Sequence, residues 1–357
     1  DLSYEIDLWG RVRRSFEGAR AEAQASAADF NNALLSVQAE VARNYFNLRA
    51  VDRQRNVVRA SIKLRRDARE LLQARVNAGT TPELDLARAD TEVALAETDL
   101  VRLDRQRATY ETALAILTGT MAPGFTVEEV AAATFELPAV PPALPAELLE
   151  RRPDVAAAER QLAAANARIG VAKAGFFPVL RLTGSAGFAS AELDSLFNWD
   201  SRVWSIGPSL SLPIFAGGRN RANLERARGA FEEAAANYRQ QVLVAFAEVQ
   251  ESLTALKLLA REAEAVANTE AAAERTYQYA VNRYEGGIVS YLEVIESQRT
   301  RLAARLEAAR VAGLRQTALV QFIKALGGGW EQSPEYEIVV KEPASSRWLK
   351  AKTRRSN

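Results

Sequence analysis

Residues 2–14, LSYEIDLWGRVRR, and residues 210–222, LSLPIFAGGRNRA, carry the same pattern: a short alternating stretch, a glycine, and the start of a proline-free polar run. The match does not stop there. Residues 2–119 lie on residues 210–327 at a constant offset of 208 with no gap. Ile6 falls on Ile214, Gly10 on Gly218, Arg11 on Arg219, Arg20 on Arg228, Val41 on Val249 and Leu48 on Leu256. Further along, Arg75 falls on Arg283, Gly79 on Gly287, Leu84 on Leu292 and Gly119 on Gly327. A register kept that long implies one architecture used twice.

Each copy reads as a strand, a Gly-Arg hinge, a very long helix, a glycine turn and a second helix about half as long. In the first copy Leu2, Tyr4, Ile6 and Leu8 alternate with Ser3, Glu5 and Asp7, a strand over 2–8 with one apolar and one polar side. From Arg11 to about Asn77 there is no proline and a single glycine, Gly18. Such a helix would be roughly 100 Å long, too long for a compact core. Leu34, Val37, Val41, Leu48, Val51, Val58 and Ile62 form a narrow stripe on it, with Asn44 and Arg55 between them. Gly79-Thr80-Thr81-Pro82 then turns the chain, with Gly79 suited to a C-terminal cap, Thr81 to an N-cap and Pro82 to a first helical turn. In the second copy Gly286-Gly287 turn the chain and Ser290-Tyr291-Leu292-Glu293 reads as a capping box.

Between the copies, Pro123, Pro138, Pro141, Pro142 and Pro145 mark a connector over 119–152. An Ala-rich helix follows from about Pro153 to Ala174, stopped by Phe176-Phe177-Pro178. Leu180, Leu182, Ala186 and Phe188 then alternate with Arg181, Thr183, Ser185 and Gly187. After a polar loop, Trp204, Ile206, Leu210, Leu212 and Ile214 do the same against small residues, so the segment reads as a strand hairpin. Segments of about 10 residues suffice to cross a bilayer as tilted strands. Phe176, Phe177, Phe215 and Trp9 at one end, and Phe197, Trp199 and Trp204 at the other, fit two aromatic girdles. The expected organisation is repeat 1 over 1–118, connector over 119–152, repeat 2 over 153–327, and a loosely ordered tail over 328–357.

Composition narrows the function. The 46 Lys+Arg nearly cancel the 45 Asp+Glu, which gives no support to a nucleic-acid partner. There is no His and no Cys, so thiol chemistry, disulfides and His-based catalysis or metal binding are excluded within this sequence, and no cofactor is expected. No run of about 18 apolar residues forms a transmembrane helix. The sequence opens at Asp1 inside a strand pattern, so the expectation is a fragment whose upstream part would hold any signal peptide or lipid-anchor cysteine.

Three strands with a greasy face cannot close a barrel, and open sheet edges are not tolerated in lipid. Several chains would have to combine their strands, and narrow stripes on long rods likewise ask for neighbouring rods. The alternative is a soluble, elongated coiled-coil scaffold with a small sheet at one end.

At RRPDVAAAERQLAAANARIGVAKAGFFPVLRLTGSAG (151–187), SLPIFAGGRNRANLERA (211–227), RYEGGIVSYLEVIESQR (283–299) and DLWGRVRR (7–14), the chain resembles the outer membrane factor family of TolC-like and OprM-like efflux ducts. The resemblance implies a mainly α fold with a small β part: long helical hairpins forming a tunnel, and strands given to a shared transmembrane β-barrel. It implies a homotrimer in the outer membrane, each full-length subunit giving four strands to a twelve-stranded barrel. The partners implied are a periplasmic adaptor and an inner-membrane pump of the resistance-nodulation-division type. A type I secretion duct has the same architecture. No enzyme is implied. Gly10, Pro178, Pro213, Gly217 and Gly218 match the family's strand-to-helix junctions, and the connector and tail its equatorial collar. Glu293 and Glu296 stand at the family's acidic periplasmic constriction, and Leu292 at an apolar ring of OprM-like members. Asp85 and Tyr284 stand at the interhelical bonds that hold TolC-like tips closed, whereas Val289 replaces a gating Arg. Gly79, Thr80, Gly287, Ile288 and Val289 are the implied adaptor-docking tips.

Overall fold

A computed structural model describes residues 1–129 and 151–328. Its elements are β1 (Leu2–Ile6), α1 (Arg11–Asn77), α2 (Glu83–Leu117), α3 (Pro153–Ala174), β2 (Val179–Phe188), β3 (Arg202–Ser211), α4 (Arg219–Glu285) and α5 (Tyr291–Ala325). The repeat is kept to the residue: α1 and α4 each have 67 residues, α2 and α5 each have 35, and every boundary is displaced by 208. At 1.5 Å per residue the long helices reach ~100 Å. The tail beyond Gly328 lies outside the described residues, as does all of the connector except 119–129 and 151–152.

All four of these helices stop in the same way, with a left-handed glycine past the last turn. At the end of α1, Thr80 N–H donates to the Arg75 carbonyl at 2.9 Å and Gly79 N–H to that of Val76 at 2.9 Å. Ile288 and Gly287 repeat this on Arg283 and Tyr284. This double bond pattern needs φ near +70° at its centre, which Gly79 and Gly287 adopt without strain.

α1 and α2 form one antiparallel hairpin, α4 and α5 a second, and the two meet mainly along α1 and α5. α3 fills the space between the upper parts of α1 and α4. The seams are made close by small residues. A Cβ at Gly313 would lie 2.4 Å from that of Ala50, so only glycine permits this approach of α5 to α1. Ala21 and Ala25 of α1 and Ala164, Ala165 and Ala167 of α3 are buried at the other seam. The equator is fastened by Arg152, whose guanidinium donates to Asp154, to Glu248 of α4 and to the Ala325 carbonyl that ends α5.

The α1 stripe divides in two. Leu48, Val51, Val58 and Ile62 are buried against α2 and α5, whereas Leu34 and Val37 stay 45% exposed. The upper half is the less covered part of the stripe among the described residues. On the same helix Phe16 and Phe30 are each 65% exposed. No described helix is long and apolar enough to cross a membrane.

The sheet is antiparallel in the order β1-β2-β3. Ile6, Leu180 and Leu210 are aligned across it, as are Tyr4 and Leu182, and Leu2 with Ile206 on either side of Gly184. One face is therefore apolar. The other carries Ser3, Glu5, Arg181, Thr183, Ser185, Ser205 and Ser209, with Ser185 and Ser205 hydroxyls 2.8 Å apart. Both faces are open: Leu210 is 69% and Ile206 68% exposed.

Several sequence expectations shift by a few residues. β1 ends at Ile6 rather than Leu8, because Leu8 N–H turns back to the Ile6 carbonyl. β3 ends at Ser211, short of Ile214, since Pro213 has no N–H for a ladder. Pro82, not Thr81, is the N-cap of α2, which begins at Glu83.

Candidate functional site

The helices converge on two glycine turns, at 78–82 and 286–290, and beneath them lies an apolar knot. Leu72, Ala89, Tyr277, Tyr291, Val294 and Ile295 are buried together, with Leu86 and Tyr284 packed on the outside. Burial pushes the Tyr291 hydroxyl up to about 12, so it stays protonated. Tyr284 bridges the two hairpins. Arg75 Nη1 donates to its hydroxyl at 3.2 Å, the Arg75 guanidinium lies over its ring, and Tyr291 packs 5.4 Å away.

Asp85 is not part of that contact. Its carboxylate accepts from Arg88 on its own helix at 3.3 Å. The capping box at Ser290 is also absent: Ser290 makes no side-chain cap bond. Glu293 instead lies 3.9 Å from Arg283 across the turn, half exposed. Leu292 and Glu293 are exposed, and Glu296 is exposed one turn further along the same surface. Glu296 forms no ion pair among the described residues. The turns themselves are bare: Ile288 is 69% exposed, and a Cβ at Gly79 or Gly287 would meet nothing within 4 Å.

A charged cross-link above the knot was not anticipated. Glu92 on α2 is 5% exposed and accepts from Arg299 of α5 at 2.9 Å, while Arg65 of α1, also 5% exposed, lies 3.1 Å away. Arg65 also donates to the Glu92 carbonyl at 2.6 Å. Its burial lowers the guanidinium pKa, and the bond to Glu92 raises that of Arg299. Two signals could have found it. Arg65 continues the seven-residue series Asn44, Val51, Val58, Arg65, Leu72, where a core position is expected. The repeat also places Ala273, Thr300 and Thr91 opposite Arg65, Glu92 and Arg299, so the cross-link exists in one copy only.

At the opposite end, each strand enters its helix through a left-handed glycine, Gly10 at φ 79° and Gly218 at φ 81°, with Gly217 also positive. Asp7 accepts from the Val12 and Arg13 amides and so caps α1 three residues ahead of Gly10. Trp9 stacks on Phe177 at 4.7 Å and donates its indole N–H to the Pro178 carbonyl at 2.9 Å. In the second copy Phe215 replaces Asp7 and is 91% exposed.

A two-faced sheet that runs into rods of ~100 Å fits a membrane duct subunit. The chain belongs to the outer membrane efflux protein family, whose profile matches residues 1–120 and 144–328. It is 36% identical to outer membrane protein OprJ of Pseudomonas aeruginosa over 337 residues, covering 92% of this chain and 69% of OprJ. It is also 36% identical to the toluene efflux pump outer membrane protein TtgI of Pseudomonas putida over 335 residues, 93% of this chain and 70% of TtgI. The structure superposes on that of CusC, described as forming a transmembrane channel, with a TM-score of 0.86 at 30% identity, covering 92% of this chain and 76% of CusC. The chain thus spans about 70% of the length of OprJ and TtgI. It is an outer membrane protein of an efflux family, which removes the soluble-scaffold reading.

Proposed function

We propose that three copies of this protein form the outer-membrane duct of a tripartite efflux system, conducting substrate passively from an inner-membrane pump and a periplasmic adaptor. The observation that carries this reading is the sheet. Its apolar face is exposed, its polar face is exposed, and both edges are unpaired among the described residues, an arrangement lipid tolerates only after closure with other strands. The half-exposed upper stripe of α1 calls for a neighbouring rod in the same way. The pump of this reading is of the resistance-nodulation-division type. The expected mass of the full-length protein, extracted from membranes and measured in detergent, is that of a trimer. A monomer that stays folded and dispersed without detergent would remove the duct.

In that assembly Leu292, Glu293 and Glu296 ring the periplasmic constriction, and Tyr284, through its bond from Arg75, holds the tip closed; Asp85 joins it only by exchanging Arg88 for a neighbouring helix. Three symmetry-related Glu296 carboxylates concentrate negative potential in a narrow passage and attract cations. Glu296→Gln is expected to weaken block of the duct by a divalent cation about tenfold, or about 1.4 kcal/mol. Single-channel recording with the blocker on the periplasmic side reads this directly, and unchanged block would take Glu296 out of the constriction.

A further inference from the structure

The polar face of the sheet carries one charged pair, Glu5 and Arg181, to which Arg11 and Asp7 at the foot of α1 add one charge of each sign. Glu5 and Arg181 are cross-strand partners, with Ser209 next to Arg181 on β3. Glu5 is 14% exposed and already engaged: Arg11, reaching back from the first turn of α1, donates to it through Nε at 2.7 Å and also through Nη2. Arg181 stands further off, its Nε 3.7 Å from the same carboxylate, and is 55% exposed. The fork of Arg11 satisfies both Glu5 oxygens, so the Arg181 guanidinium is left half exposed, with donors free for an anionic solute. Every other residue of this face in the three strands is uncharged: Ser3, Val179, Thr183, Ser185, Gly187, Val203, Ser205, Gly207, Ser209 and Ser211. Arg202, the other strand arginine, is paired with Phe188 and belongs to the opposite face.

We infer that Arg181, set by the Glu5–Arg11 pair, is an anion-binding and selectivity residue of the barrel lumen, recognising phosphorylated or other polyanionic solutes near the junction with the helical tunnel. The inference rests on the duct reading, in which the apolar face meets lipid and the polar face lines the passage. Three copies of Arg181 then make a cationic ring, the arrangement by which pores bind anions and phosphates. Arginine suits the task because its planar fork presents paired donors to a phosphate oxyanion. The ring lies at the opposite end of the rods from the acidic tips, so the duct carries two charge filters of opposite sign in series.

The test is single-channel recording of the full-length trimer in bilayers at ionic strength near 0.1 M, where charges are screened over about 10 Å. The probe is inositol hexakisphosphate, added to one side at a time. Block is expected from the barrel side. In Arg181→Ser the half-blocking concentration should rise about tenfold or more, and Arg181→Lys should retain much of the block. Equal block of wild type and Arg181→Ser, or block of equal strength from both sides, overturns the inference while leaving the duct intact. A protein that forms no pore in any variant overturns the duct reading itself.

Discussion

Gly287→Phe is expected to abolish efflux while the protein still reaches the membrane as the wild-type assembly. The turn is built to tolerate inspection from outside. Gly287 sits at φ 70°, and a Cβ there meets no atom within 4 Å, so a large side chain projects into open space rather than into the knot beneath. Its intramolecular cost is the left-handed backbone alone, about 1–2 kcal/mol. The bonds from Gly287 and Ile288 to the end of α4 use backbone N–H groups that phenylalanine keeps. A tip that serves only to end a helix would therefore lose little by the change. A tip that receives the adaptor's helical hairpin, together with its counterpart at Gly79 and Thr80, loses a flat surface onto which a partner packs. Gly287→Asn separates the two effects, because asparagine tolerates the left-handed region and adds little bulk. Resistance to a pump substrate, lost in a strain lacking this protein, should be restored by the Asn variant and not by the Phe variant. Full resistance with Phe would show that the Gly287-Ile288-Val289 turn touches nothing during transport.

The two ends of the molecule were not equally legible in the sequence. The helix lengths and their glycine stops were readable because the repeat states them twice, and a Schellman turn has a local requirement that only a few residues meet. The alternation of the strands puts Ile6, Leu180 and Leu210 each on the apolar side of its own strand, and the pairing joins them into one face. What escaped was everything that depends on which helix faces which. The buried cross-link of Arg65, Glu92 and Arg299 joins residues far apart in sequence on three helices; the seven-residue series marks Arg65 as a core position, but it does not say which partners converge on it. Local chemistry also misled at Ser290, where a Ser-x-x-Glu spacing fits a capping box. Glu293 turns toward Arg283 because the glycine turn brings the last residues of α4 beside the first turn of α5. The capping of α1 was missed for a related reason: Asp7 reads as the polar side of a strand, yet its carboxylate reaches over the junction to the amides of Val12 and Arg13.

Removing Glu92 should unlock the tip more than any substitution on its exposed surface. In the folded chain this carboxylate serves two guanidiniums, one of them as buried as itself, and Arg65 already has its Nε without a partner. Glu92→Ala leaves Arg65 as an uncompensated buried charge above the knot, a situation that costs about 3–5 kcal/mol. The chain relieves that cost by letting α5 and the α1–α2 hairpin part at this level, which admits water to Arg65. Arg299→Ala is milder. The Arg299 side chain is 56% exposed, and its loss leaves the Arg65–Glu92 pair intact, so about 1 kcal/mol is at stake. The ordering is the test: conductance of the resting duct, and hydrogen exchange of the amides between 64 and 92, should increase strongly in Glu92→Ala and slightly in Arg299→Ala. Replacing Arg65 and Glu92 together by methionine removes both buried charges and should return exchange toward the wild-type level, because a buried ion pair exchanged for packed apolar groups is often neutral in stability. If Glu92→Ala leaves conductance and exchange unchanged, the three helices are held at the tip by the apolar knot and the bond of Arg75 to Tyr284, and the buried charges merely accompany that packing.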